Sequence, residues 1–206
     1  MFMIKTIFMM ILVLLQVTTT FAASSLERGV LNELNLARTK PAAYAGLLRE
    51  HRKLYKGRSI FFPGHNVSIS TVEGGSAVDE AIRFLDRQKP LSPFQFSEGL
   101  ADAAADLADE QGDSSATGHN GRKSGSMRQR IERHGEWQAE IGENISYGYN
   151  DPRLVVIQLI VDDGVRNRGH RINIFNPAFH RVGVACGPHG GYGSMCVMDF
   201  AGGFSR

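Results

Sequence analysis

The chain has 206 residues, with 23 Lys or Arg against 21 Asp or Glu, a formal net charge of +2 and 42% hydrophobic residues. That near-balance excludes a general nucleic-acid binder, which shows a strongly basic domain. The only two cysteines, Cys186 and Cys196, match neither a CxxC redox centre nor a zinc-finger spacing.

Residues 1–22 read as a signal peptide. Lys5 supplies the positive start, and Ile7 to Val17 is apolar except for Gln16. Thr20 and Ala22 then satisfy the small-residue rule for cleavage after Ala22, with Ala23 as the next best site. The apolar run falls short of the roughly 20 residues a spanning helix needs, and no later segment reaches that length. The alternative is an uncleaved anchor. The expected location is secreted or periplasmic.

The first helix is expected from Ser25 as N-cap, with Leu26, Val30, Leu34 and Ala37 recurring at spacings of three and four. Thr39-Lys40-Pro41 ends it, and Ala42 to Glu50 forms a further short helix. Residues 51–93 mix basic side chains, a Phe61-Phe62-Pro63-Gly64 turn, a Gly74-Gly75 pair and a helix over Ser76 to Leu85. This stretch is too short for a core of its own and reads as an excursion of one domain. Ser97 caps a helix to Gln111 whose Leu100, Ala103, Ala104, Leu107 and Ala108 form a small-residue face. A loop over Gly112 to Ser126 carries His119, and a short helix spans Met127 to Glu136. Arg122, Lys123, Arg128, Arg130 and Arg133, diluted by Glu132 and Glu136, read as a solvated face. Asp151-Pro152 opens a strongly apolar helix through Leu154 to Val161, ended by Gly164.

Strands at Arg181 to Gly187 and Ser194 to Ala201 close the chain as an antiparallel hairpin. Alternation places Val182, Val184 and Cys186 on one face of the first, and Cys196, Met198 and Phe200 on one face of the second. In an exported chain this favours a Cys186–Cys196 disulfide, the alternative being two buried free thiols. Helices first and a hairpin last indicate an α+β class.

Three strings offer polar chemistry: Gly118-His119-Asn120-Gly121, Gly142-Glu143-Asn144-Ile145 and Gly169-His170-Arg171-Ile172-Asn173-Ile174. Two histidines and a carboxylate from separate segments suit metal binding or proton transfer. No G-x-S-x-G elbow and no catalytic Cys-His pair is present. Asn66-Val67-Ser68 and Asn144-Ile145-Ser146 fit the N-glycosylation pattern, which matters only in a eukaryotic secretory pathway.

With these strings in this order, the chain resembles the CAP superfamily of cysteine-rich secretory proteins, antigen 5 and pathogenesis-related 1 proteins, and more closely its bacterial SCP-domain branch. The similarity runs from Leu31-Asn32-Glu33-Leu34-Asn35-Leu36-Ala37-Arg38 to the final hairpin and includes Leu91 to Glu110. Residues 51–90 diverge from the family. The resemblance implies a single domain over residues 24–206, built as a three-layer α-β-α sandwich with an antiparallel sheet. It also implies a cleft lined by two histidines and two acids. Carried over residue by residue, these are His119, Glu143 and His170, with Asp163 in place of the second glutamate. Asp163 comes from Leu159-Ile160-Val161-Asp162-Asp163, which matches a family string ending in Asp-Glu. An aspartate is one methylene shorter, and Arg171 stands where the family has an aromatic.

Such a set would hold Zn²⁺ or Mg²⁺ weakly through neutral imidazoles and carboxylates, with a position left for water. The competing reading is a hydrogen-bonded polar network that specifies the core. The implied function is a secreted, non-enzymatic module for a small or lipidic ligand or a cell-surface partner. The alternative is a metal-dependent hydrolase of peptide or cell-wall substrates with Glu143 as base. His51, His65, His134, His180 and His189 have no partner at a recognisable spacing, and Arg171 and Asn173 read as structural.

Overall fold

The computed structural model describes residues 24–64 and 66–206. The signal peptide over 1–22, its cleavage site and His65 lie outside the described residues. Helix α1 spans Ser25–Thr39 and α2 Pro41–Arg52. A small antiparallel sheet of β1 (Tyr55–Lys56), β2 (Ser59–Phe61) and β3 (Ser68–Ser70) follows, then α3 (Gly75–Arg87). Next come β4 (Gln95–Phe96), α4 (Glu98–Ser114), the two-residue pair β5 (Asn120–Gly121) and β6 (Gly125–Ser126), and α5 (Met127–His134). Strand β7 (Glu136–Tyr147), α6 (Pro152–Val161), α7 (Gly169–Ile174), β8 (Arg181–His189) and β9 (Gly193–Ser205) complete the chain.

The main sheet runs β4-β8-β9-β7, antiparallel except for the parallel β4–β8 contact. Its side chains alternate with the period of two that a pleated strand imposes. Val182, Val184, Cys196, Met198 and Phe200 enter a core shared with α1, α2, α3 and α6. Ala185, Met195, Val197 and Ala201 point the other way, into two smaller cores against α4 and α5. Helices therefore cover both faces, giving the α-β-α layering. Helix α4 approaches closely enough that a Cβ on Gly183 would collide with the Ala101 backbone. Cys186 and Cys196 are opposite each other in the β8–β9 register and are disulfide-bonded.

Several expectations are corrected. The first N-cap is Ser24, not Ser25: its side chain accepts from Glu27 N while Glu27 reaches back to Ser24 N, a capping box. Residues 136–147, left unassigned except at Glu136, form the long strand β7 at the sheet edge. Its apolar signal is weak because its first half is exposed and a bulge with Ala139 at positive φ interrupts the register. Arg130 is not on a solvated face but fully buried.

Candidate functional site

The site forms around β7. Glu143 and Asn144 are consecutive, so they project to opposite faces of the strand. Glu143 faces α5, and Asn144 faces α7, where its Nδ2 donates to the His170 carbonyl at 2.9 Å. Asn173 Nδ2 donates to Asn144 Oδ1 and to the Glu143 carbonyl. These bonds give Asn173 its structural role, fastening α7 to the strand. A Cβ on Gly142 would come within 2.9 Å of the Phe179 ring, so only glycine allows that approach.

His119 arrives from the loop after α4. Its predecessor Gly118 sits at φ +100 and is clamped from both sides: Gly118 N donates to Tyr147 Oη at 3.0 Å, and Gln111 Nε2 donates to the Gly118 carbonyl at 2.6 Å. Tyr147 Oη in turn donates to Gln111 Oε1. His119 Nδ1 then lies 2.8 Å from Glu143 Oε1.

His170 arrives from the other side. Asp162 ends α6 in the left-handed region at φ 54, a conformation aspartate tolerates better than most residues. Its carboxylate accepts from His170 N at 2.9 Å and from His170 Nδ1 at 2.6 Å. The two imidazole centroids are 6.4 Å apart, although the residues are far apart in the chain. An ionised carboxylate can only accept, so each Nδ1 carries the hydrogen and each neutral ring keeps its lone pair on Nε2. Among the described residues no hydrogen bond engages either Nε2.

The structure thus brings His119, Glu143 and His170 together but turns Asp163 elsewhere. Asp163 accepts from the backbone N–H groups of Val72 and Glu73 at 2.6 and 2.7 Å, tying the excursion to the end of α6. The acid beside His170 is Asp162, one position earlier. An aspartate directly after the last apolar helical residue, where a left-handed cap falls, was the available signal.

Behind Glu143 lies a charge that sequence reasoning missed. Arg130 Nη2 is hydrogen-bonded to Glu143 Oε2, and Nη1 donates to the carbonyls of His119 and Gly125 at 3.2 and 2.7 Å. Both side chains are sealed from solvent. Asp199, opposite Glu143 in the β7–β9 register, is also fully buried. Burial first, then the Glu143 charge, pushes its carboxyl well above the usual range, with Arg130 opposing.

The donors available to a metal are accordingly two imidazole Nε2 atoms. Glu143 is spent on Arg130 and His119, and Asp162 on His170. Among the described residues no group of three or more His, Cys, Asp or Glu side chains is arranged to hold a metal ion. A four-ligand site does not fit. A two-imidazole site with the acids as orienting partners does, and imidazole suits Zn²⁺ better than Mg²⁺.

His170 and Asp162 also line a cavity of about 260 Å³. Its walls include Ile145 and Tyr147 from β7, Ile157 from α6, and Ile60 and Ile69 from the excursion. His51 lines it too, and burial pushes that imidazole below its ordinary value. The excursion is therefore part of the cleft wall.

Residues 31–200 match the family described as CAP, cysteine-rich secretory protein family. No curated protein matches the chain. Among solved structures, the chain is similar to an extracellular protein containing an SCP domain from Bacillus anthracis str. Ames, at 20% identity and a TM-score of 0.45. That match covers 62% of this chain and 37% of the other, so this chain spans well under half of the Bacillus protein. An outer surface protein from Borrelia burgdorferi is similar at 17% identity and a TM-score of 0.45, over 54% of this chain and 78% of that one.

Proposed function

This chain belongs to the CAP, or cysteine-rich secretory protein, family, and from that premise we propose that it is an exported, non-enzymatic module that holds a small ligand at its paired-imidazole cleft. The domain extends over residues 24–206, and its setting is secreted or periplasmic. The observation that carries this reading is the pair of rings 6.4 Å apart, each oriented through Nδ1 by its own acid, with both Nε2 atoms unengaged and His170 itself lining a cavity. Such preorientation favours binding with little ordering cost.

Those Nε2 atoms would hold Zn²⁺ weakly, and bound Zn²⁺ would offer open positions to an anionic or carbonyl group of a ligand. A ligand with a polar head and an apolar body, lipidic or otherwise, matches the cleft and the cavity behind it. The hydrolase alternative needs Glu143 as general base. Its side chain is 1% exposed and its two oxygens are hydrogen-bonded to His119 and to Arg130, an arrangement that favours a role in positioning His119 over that of a free base.

The test is calorimetric titration of the processed protein with Zn²⁺ at about pH 7.5 and about pH 5.5, since protonated imidazole has no lone pair to donate. Binding at the higher pH, lost at the lower pH and in His119→Ala and His170→Ala, is expected. Binding indifferent to pH or to His170→Ala would leave only the polar-network reading. Hydrolysis in a broad substrate screen that disappears in Glu143→Gln, with circular dichroism showing that variant still folded, would establish the enzyme instead.

A further inference from the structure

The large hydrophobic side chains left exposed among the described residues are unevenly distributed. Phe61 (45%), Val67 (72%), Ile69 (42%) and Val72 (63%) all come from β2, β3 and the connections around them, while Phe96, Ile172 and Tyr192 are scattered. The same stretch, residues 51–72, contains no Asp or Glu and carries Arg52, Lys53, Lys56 and Arg58. Two of these cations are already matched, Arg52 by Asp79 and Lys53 by Glu50. Lys56 and Arg58 are exposed and have no ion-pair partner among the described residues.

Strand alternation sorts these groups. Ile60 and Ile69 are opposite each other and face the cavity. Phe61 projects to the outer side, where the Lys56 ammonium lies 5.6 Å from its ring centroid. Val67, next to β3, is the most exposed of the set. An apolar projection flanked by unneutralised cations is the composition of an interfacial anchor: the apolar groups enter the headgroup boundary and the cations meet anionic headgroups.

We propose that this excursion docks the protein on an anionic lipid surface through Phe61, Val67, Lys56 and Arg58. Charge selects the occupant. A second copy seated on the same patch by two-fold symmetry would set Lys56 and Arg58 against themselves, whereas an anionic bilayer complements them. Docking there would lay the outer side of the hairpin on the lipid, while its inner side, with Ile60 and Ile69, remains the cavity wall. The inference rests on the proposed export and does not require the cleft to hold a metal.

The test is co-sedimentation of the processed protein with phosphatidylglycerol–phosphatidylcholine vesicles and with pure phosphatidylcholine vesicles. Wild type, Phe61→Ser/Val67→Ser, Lys56→Glu/Arg58→Glu and His170→Ala are compared, with circular dichroism to confirm folding. Binding to the mixed vesicles that weakens with salt is expected, falling about five-fold per cation removed and at least about ten-fold in either double variant. His170→Ala should bind vesicles normally, so a failure of the cleft reading and a failure of docking are separable. No binding by wild type, or binding by the folded double variants equal to that of wild type, would overturn the proposal. So would a wild-type dimer that becomes monomeric in Phe61→Ser/Val67→Ser, since that would give the patch to a second copy.

Discussion

Replacing Arg130 by Met tests whether the buried ion pair organises the site. Methionine keeps an apolar stem of similar length, so the cavity left is small and the loss is mainly electrostatic. The change strips Glu143 Oε2 of its guanidinium and leaves the His119 and Gly125 carbonyls without their donor. Removing one partner of a buried pair costs about 3–5 kcal/mol, a large share of the roughly 5–15 kcal/mol that holds such a domain together. Glu143→Gln should cost a similar amount by stranding the Arg130 charge. The double variant buries no unpaired charge, so it should lose less than the two singles combined, with a coupling of at least about 2 kcal/mol. Urea unfolding of all four proteins at neutral pH measures the cycle. Folded Arg130→Met should also bind Zn²⁺ less tightly, because the His119 loop loses its tether. A loss under about 1 kcal/mol, or additivity within about 0.5 kcal/mol, would refute the reasoning.

Asp162→Asn should lower Zn²⁺ affinity by about 10–100-fold by releasing the His170 ring, read by calorimetry. Asp163→Asn should leave that affinity within about three-fold yet cost about 1–2 kcal/mol of stability through its bonds to the Val72 and Glu73 N–H groups. Comparable losses of affinity in both would undo the assignment of Asp162. Cys186→Ala/Cys196→Ala opens a loop with a sequence separation of 10, which in the chain-entropy estimate costs about 2.5–3 kcal/mol. Unfolding with unchanged urea midpoint would contradict it, and free thiols in the exported protein would remove the bond altogether. Asp199 holds its proton more tightly folded than unfolded. Its contribution therefore favours the fold in acid and is lost as pH rises above the ordinary aspartate value near 3.9 toward the raised folded value. Asp199→Asn should thus raise the melting temperature at neutral pH by several degrees, with the gain shrinking toward about pH 4. A lower melting temperature at both pH values would show that the carboxyl group is needed for its own contacts.

Local chemistry was legible in the sequence. Apolar spacing marked α1, α4 and α6, and Ser97 and Asp151 marked the starts of the last two, because a helix buries one stripe and begins where a cap satisfies its free N–H groups. Alternation in β8 and β9 placed both cysteines on one face and so implied their bond. The strings around His119, Glu143 and His170 were visible as strings. What the sequence could not supply was which side of the sheet each residue reaches and what waits there. Strand β7 stayed hidden because an edge strand with an exposed, bulged first half carries little hydrophobic period. Asp162 and Asp163 are adjacent, and only the left-handed turn at Asp162 aims one carboxylate at His170 and the other at Val72 and Glu73. Arg130 looked like part of a charged surface until the packing of α5 on β7 sealed it against Glu143. In each case a side chain's role followed from a long-range contact, and such contacts exist only once the sheet has been assembled.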